Sequence, residues 1–387
     1  MLPLATTTWD KEEIQAIHDV IESDMYSMGP KVAEFEQAFA DFTGSKYCVM
    51  VNSGSSANLL AVAALFFTKE SYLQAGDEVI VPAVSWSTTY FPLQQYGLKL
   101  KFVDIDPQTL NLSLDQLEEA ISPETKAIFA VNLLGNPIDY QKLNKLIAEK
   151  DILLIEDNCE SLGACLNNKQ AGTFGKLGTY SSFFSHHIST MEGGMVVTDD
   201  EELYHILLSI RSHGWTRHLP EQNLVCEKSS DAFYESFRFV LPGYNVRPIE
   251  MSGAIGLAQL KKLPEIIKGR RENAAYFVDQ VSNIKGIQVQ QETGESSWFG
   301  FALMFENTET RNKAVKQLSE QKVDCRPIVA GNFVNNPAIK FFDYEIHNNL
   351  KQADRIEQCG LFIGNHHYDV KEQIDHVIKL LQNIVSA

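Results

Sequence analysis

Six cysteines in 387 residues, at positions 48, 159, 165, 226, 325 and 359, include no C-x-C or C-x-x-C pair. Without a chelating pair, neither a zinc site nor a local disulfide framework is expected, and an iron–sulfur cluster would need distant ligands to converge. Reduced, mostly buried thiols and no metal centre are the expectation. Long apolar runs are also missing. The longest, LLAVAALFF at 59–67, is broken by Thr68-Lys69-Glu70 and falls short of the roughly 18–20 residues that cross a bilayer. The N-terminal MLPLATTTWDKEE has no basic n-region and no apolar h-region, so no secretory signal is read. A cytoplasmic protein with no membrane partner is expected. Basic charge is scarce too: 33 Lys and Arg against 50 Asp and Glu give a net charge of −17. Such a surface disfavours nonspecific nucleic-acid binding, and an anionic small molecule would need a local basic pocket.

What is present is ordinary for a globular chain. An apolar share of 44% and a charged share of 21% argue against extensive disorder, and the length favours two domains. Short β-branched runs at 46–51, 77–84, 98–105, 126–135 and 151–157 alternate with amphipathic helical stretches such as SLDQLEEAIS (113–122) and DYQKLNKLIAEK (139–150). That alternation predicts an α/β fold with a largely parallel sheet covered on both faces, whose ligands gather at the strand carboxyl ends. From about residue 264 the texture changes. A helical stretch at 264–283, SWFGFALMF at 297–305 and a final helix near 371–384 predict a smaller α+β domain. The division is a large domain over 1–263 and a small one over 264–387.

Four stretches can carry chemistry. In VNSGSSANLLAVAAL (51–65) a strand gives way to Ser53-Gly54-Ser55-Ser56 and a helix, whose amides and dipole favour an anion; no Walker lysine follows, so a nucleotide P-loop is excluded. A plain Ser-capped helix fits equally well. In LLIEDNCESLGA (153–164) a buried strand delivers Glu156, Asp157 and Glu160 to its end, where a carboxylate can hold a cationic ring nitrogen or a metal, work as an acid or base, or cap the next segment. In PAVSWSTTYFPL (82–93) Trp86 stands just past a strand end, placed to stack on a flat heterocycle or to pack in the core. SSFFSHHISTMEGG (181–194) sets Ser181, His186 and His187 ahead of a Gly-Gly corner. Adjacent residues of an extended chain face opposite ways, so one histidine at most faces a shared site.

Together with MGPKVAEFEQAFADFTG (28–44) and LPGYNVRPIEMSGAIGLAQL (241–260), these motifs resemble the DegT/DnrJ/EryC1/StrS sugar aminotransferase family of fold-type I pyridoxal phosphate enzymes over nearly the whole chain. The resemblance implies that Ser55 and Ser56 hold the cofactor phosphate with the helix amides, joined by Ser181. It implies that Trp86 stacks on the pyridine ring and that Asp157 pairs with the protonated ring nitrogen. Glu160 falls where the family has Gln or a similar group near the ring hydroxyl. Asn245 reaches the phosphate held by the neighbouring subunit, since such sites form at a homodimer interface.

One position departs from the family. Its aminotransferases place a lysine six residues before the EGG glutamate, and counting back from Glu192 lands on His186. No lysine lies between Lys176 and Lys228. An imidazole cannot make lysine's covalent link, so pyridoxal 5'-phosphate or pyridoxamine 5'-phosphate is expected to be held noncovalently, with His186 as the proton-transfer group. The exchange is similar to that in the nucleotide-sugar 3-dehydratases, which remove the C3 hydroxyl of a nucleotide-linked 4-keto-6-deoxyhexose. The missing C-x-C element favours their cluster-free kind, which acts on GDP-4-keto-6-deoxymannose in colitose synthesis for O-antigen, regenerates its amine with L-glutamate and releases ammonia. Candidate contacts to the sugar or its diphosphate are His213, Trp215 and Arg217 in RSHGWTRHLP (211–220), Arg247 in GYNVRP, and Arg326 and Asn332 in RPIVAGNF. A sugar aminotransferase served by a distant lysine, and a non-catalytic sensor or scaffold, are the rival readings. The nucleotide, the oligomer beyond a dimer and the role of Glu160 stay open.

Overall fold

The computed structural model describes residues 1–386. Strands β1 (Tyr47–Val51), β2 (Glu78–Pro82), β3 (Lys99–Val103), β4 (Thr125–Val131) and β5 (Leu153–Asp157) form within the apolar runs read from the sequence or one residue outside them. A small hairpin, β6 (Cys165–Leu166) and β7 (Lys169–Gln170), precedes β8 (Leu177–Ser181) and β9 (Gly194–Thr198). Later come β10 (Ile287–Val289), β11 (Gly300–Phe305), β12 (Cys325–Arg326), β13 (Tyr344–Ile346) and β14 (Gly360–Gly364).

The large sheet has eight strands in the order β1-β9-β8-β5-β4-β2-β3-β13. All run one way except β9, which is antiparallel to both neighbours. Helices cover both faces, which is why a strand such as β2 is buried along its whole length. On one side the helix Gly54–Leu65 sets Leu60 and Leu65 into a core with Val79, Val81 and Val196. On the other, Phe35 and Phe39 from the helix Pro30–Thr43 meet Tyr180 and Met195. The second sheet, β10-β11-β14-β12, is antiparallel throughout and packs Phe301 and Leu303 against Phe277 and Ile374.

The helix read as starting at Pro264 begins fourteen residues earlier, running Glu250–Val281 with Pro264 inside it. Proline removes one i→i−4 bond there, yet tertiary packing holds the turn. The N-terminal half lies close on the helix Pro30–Thr43: a Cβ at Gly253 would come within 2.5 Å of the Val32 amide nitrogen. This helix crosses residues 263–264 unbroken, and β13 adds to the large sheet beside β3 with Glu345 bonded to Lys99 and Lys101. Both links tie the second sheet to the first. The carboxyl ends of β1, β4, β5 and β8 meet at one cavity of about 1120 Å³, its mouth included.

Candidate active site

At the end of β1, Ser53 caps the helix Gly54–Leu65, its hydroxyl oxygen accepting from the Ser56 amide at 3.1 Å. The chain needs glycine next: a Cβ on Gly54 would lie 2.6 Å from that of Ser181. Ser53, Gly54, Ser55 and Ser181 therefore line one end of the cavity around a helix N-terminus, a seat for an anion. Ser56 stands behind them, its hydroxyl donating to Asn52 Oδ1 at 2.6 Å.

Asp157 sits at the last position of β5, 6% exposed and without an ion-pair partner among the described residues. Asn58 Nδ2 and Thr89 Oγ1 both donate to its Oδ2 at 2.8 Å, and the Cys159 amide donates to Oδ1 at 3.2 Å. Asn58 is fixed in turn by Thr179 Oγ1, which donates to its Oδ1 at 2.5 Å. Such a carboxylate, enclosed and hydrogen-bonded but lacking a counter-cation, suits a protonated heterocyclic nitrogen in the cavity. Trp86, 58% exposed at the start of the helix Ser87–Gln95, supplies an aromatic wall. Glu156 faces away and accepts from the Gly172 and Gly175 amides, each at 2.6 Å, so its role is to hold that loop.

Glu160 has one donor, the Leu134 amide at 3.0 Å. Burial, reinforced by the charge of Asp157, pushes its carboxyl up to about 7. His186 lines the same cavity. Its Nδ1 is 2.7 Å from the Cys159 carbonyl oxygen, which can only accept, so Nδ1 carries the proton and Nε2 has a free lone pair. Burial pushes this imidazole down to about 4, leaving it neutral at pH 7. His187 turns the other way, buried, with Nε2 3.0 Å from the Ser297 carbonyl oxygen. The alternation expected of adjacent residues is what the structure contains. No lysine lines the cavity among the described residues, so the rival with a substitute lysine has none at hand.

The structure brings Ser55, Trp86, Asp157, Glu160, Ser181 and His186 together, while Asn245, His213, Trp215, Arg217, Arg247, Arg326 and Asn332 lie outside this cavity's lining. Asn245 is exposed and accepts from Arg247 Nε at 3.0 Å. Trp215 donates to the Ser236 carbonyl at 3.0 Å, with the Arg217 guanidinium over its ring. His213 is exposed at a left-handed φ of 66°. Arg326 is exposed on β12. Asn332 is the one whose chemistry is turned inward: it is 4% exposed, donates to Asp354 Oδ1 at 2.7 Å and accepts from the Val334 amide at 3.2 Å. Its polar atoms serve the fold, because a buried amide must be satisfied where it stands.

Three contributors were not read from the sequence. Asn58 was findable as the one polar residue in the Ala/Leu-rich part of its helix, 57–65, and Thr89 as a hydroxyl one helical turn past Trp86. Phe299 had no local signal, since it reaches the cavity wall from the edge of the second sheet.

The residues present fit a phosphorylated, cationic aromatic ring: an amide-lined anion seat, an aromatic wall and an unpaired carboxylate surround one cavity. Comparison with known proteins agrees. The sequence pattern of the DegT/DnrJ/EryC1/StrS aminotransferase family matches residues 7–382. The chain is 60% identical over 384 residues to GDP-4-keto-6-deoxy-D-mannose 3-dehydratase of Yersinia pseudotuberculosis, covering 98% of each. A solved GDP-4-keto-6-deoxymannose-3-dehydratase with a trapped PLP-glutamate geminal diamine superposes with a TM-score of 0.97 at 57% identity, over 98% of this chain and 100% of that one. A mutant of such an enzyme with bound GDP-perosamine gives the same TM-score, identity and coverage. The fold is that of the fold-type I pyridoxal phosphate enzymes.

Proposed function

We propose, for a chain that belongs to the DegT/DnrJ/EryC1/StrS aminotransferase family, a 3-dehydratase acting on GDP-4-keto-6-deoxymannose. L-glutamate recharges the cofactor, leaving as 2-oxoglutarate, and the sugar loses its C3 oxygen with release of ammonia. The observation that carries the reading is His186: a histidine, locked as the Nδ1–H tautomer, stands in a cavity that no lysine lines among the described residues.

Bound in the cavity, the pyridoxamine form supplies an amine that condenses with the 4-keto group and a ring that accepts electrons. The protein's part is to hold and to move protons. Ser55, Ser181 and the amides opening the helix Gly54–Leu65 hold the phosphate, with Ser56 bracing the turn from behind. Asp157 keeps the ring nitrogen protonated, and Trp86 covers one face. His186 takes a proton at Nε2 and returns it, serving the glutamate half and the sugar half in turn. Burial leaves its Nε2 unprotonated at neutral pH, the state a base must start from. Glu160, close to half-protonated near pH 7, would be the group to share a proton with the ring oxygen or the departing hydroxyl.

The same reading has two copies of the chain completing one another's sites. Supporting it, Phe183, Phe184 and Met191 leave large apolar side chains exposed beside the cavity, and the segment with Phe233, Phe237 and Phe239 exposes more. In that arrangement Asn245, Arg247 and the loop with His213, Trp215 and Arg217 serve the neighbouring cavity, and Arg326 approaches from the second sheet. The cytoplasm is the proposed setting, supported by six free cysteines and by the lack of any helix, among the described residues, long and apolar enough to cross a membrane.

The test is a mass spectrum of the product formed from GDP-4-keto-6-deoxymannose with pyridoxal phosphate and glutamate. A sugar lighter by one oxygen, with ammonia released, supports the reading. A sugar carrying nitrogen means aminotransfer and overturns it.

A further inference from the structure

His187 has no part in the chemistry above, yet it is fully buried directly behind the base. Its Nε2 meets the Ser297 carbonyl, which only accepts, so Nε2 bears the proton and Nδ1 is bare. That Nδ1 has no hydrogen-bond partner among the described residues. Ser297 belongs to a strap, residues 296–299, that enters the cavity wall just before β11. The strap's other edge is bonded to the turn after β4: the Ser297 amide donates to Gly135 O at 2.8 Å and the Phe299 amide to Leu134 O at 3.0 Å. Between them Trp298 has a φ of 48°, a conformation that a bulky residue keeps only where its surroundings impose it. The Trp298 carbonyl accepts from Asn365 Nδ2 at 3.0 Å.

Phe299 is the product of this arrangement. Its ring centroid lies 5.1 Å from that of His186 and 5.8 Å from that of His187. Leu134, whose carbonyl anchors the strap, gives its amide to Glu160. His187 is thus one tie on the strap, beside Arg270 on the Trp298 and Phe299 carbonyls, and the strap in turn sets the wall against His186 and borders the turn that donates to Glu160.

We propose that His187 is a positioning residue for the proton-transfer group, fixing through Ser297 the strap that holds Phe299 against His186. The inference rests on the reading of His186 as the base. Burial and the Arg270 charge hold His187 well below the ordinary histidine range, so it works as a neutral donor of fixed tautomer and fixed reach. Its donor and shape are used; its basicity is not.

Two replacements separate these properties. His187→Gln keeps an N–H able to meet Ser297, and His187→Phe keeps a ring without it. In each, ring-nitrogen NMR follows the titration of His186 in the pyridoxamine phosphate-loaded protein, and stopped-flow absorbance follows the glutamate half-reaction. The charges acting on His186 are Asp157 and Arg270, with Cys159, Glu160 and Glu192 on the same cavity wall, and none of these is changed. With His187→Phe, the His186 titration is expected to move up by about one pH unit as water reaches the ring. The rate constant at saturating glutamate is expected to fall about 10- to 100-fold while the half-saturating concentration changes less than about threefold. His187→Gln should restore most of both. Phe299→Leu, with His187 intact, should give the same titration shift and covers the case in which His187→Phe does not fold. An unmoved His186 titration in both variants, or a glutamine variant no better than phenylalanine, overturns the proposal. If the wild-type protein shows no glutamate half-reaction, the functional reading fails while the titration still decides the positioning role.

Discussion

The two sides of the cavity are built differently. The side made by the large sheet is saturated: Asp157 accepts from three donors, and Ser53 and Ser181 each accept a backbone amide. The side closed by the strap is sparse: Glu160 has a single donor, His186 has one bonded nitrogen, and Phe299 adds an apolar face. Burial pushes the two titratable groups of the sparse side in opposite chemical senses, Glu160 up to about 7 and His186 down to about 4. Both shifts favour the neutral form, as desolvation must. A saturated wall fixes a ligand, whereas an under-bonded one keeps groups that can exchange a proton.

The comparison can be broken most sharply at His186. His186→Phe should lower both half-reactions by about 10²- to 10⁴-fold while pyridoxamine phosphate still binds, measured by single-turnover absorbance and by fluorescence titration. Comparable loss of binding would mean that the two sides are not separable. Next is Asp157→Ala, which removes the shared acceptor of Asn58 and Thr89 and leaves them only the Thr88 carbonyl and the Ser85 hydroxyl. Stability should drop by roughly 1–3 kcal/mol in urea unfolding, with cofactor affinity falling as well.

Glu160→Gln sharpens the contrast through pH. Because the folded carboxyl titrates near 7 and the unfolded one near 4.5, the folded state binds more protons between those values. The contribution of Glu160 is therefore intact below about 4.5 and lost as pH rises through 7. The glutamine variant should match wild type at pH 4 and exceed it by up to roughly 3 kcal/mol at pH 8, read from urea midpoints at the two pH values. Histidines have the opposite sign. His186, His218 and His366 are each held down to about 4 by burial, so their contribution is present above 6.5 and lost as pH falls through 4. Unfolding midpoints measured across that window should fall with acid, with these three adding up to about three protons to the uptake and the likewise lowered His187, His205 and His367 adding more. The smallest effect is expected at Asn332→Ala: about 1 kcal/mol lost with the cap on Val334, and an unchanged half-saturating sugar concentration.

Much of this was legible in the sequence. Five strand runs, the Ser-Gly-Ser turn, the carboxylate ending a buried strand and the histidine at the lysine position are local patterns, and locality is what a sequence displays. The start of the long helix was misread because Pro264 is a strong local stop signal, whereas packing of Gly253 and Gly256 against Val32 and Phe35 is a nonlocal fact. Asn332 was read as a substrate contact because its partner Asp354 lies twenty-two residues on, out of reach of local reading.

The sequence by itself determined the alternation of strands and helices, the Ser-capped helix start after β1 and the absence of a lysine where the family has one, since each depends on neighbours along the chain. Only the tertiary structure decided which nitrogen of His186 is free and which carboxyl is raised. Those properties follow from burial and from partners such as the Cys159 carbonyl, Leu134 and Phe299, which long-range packing alone brings into contact.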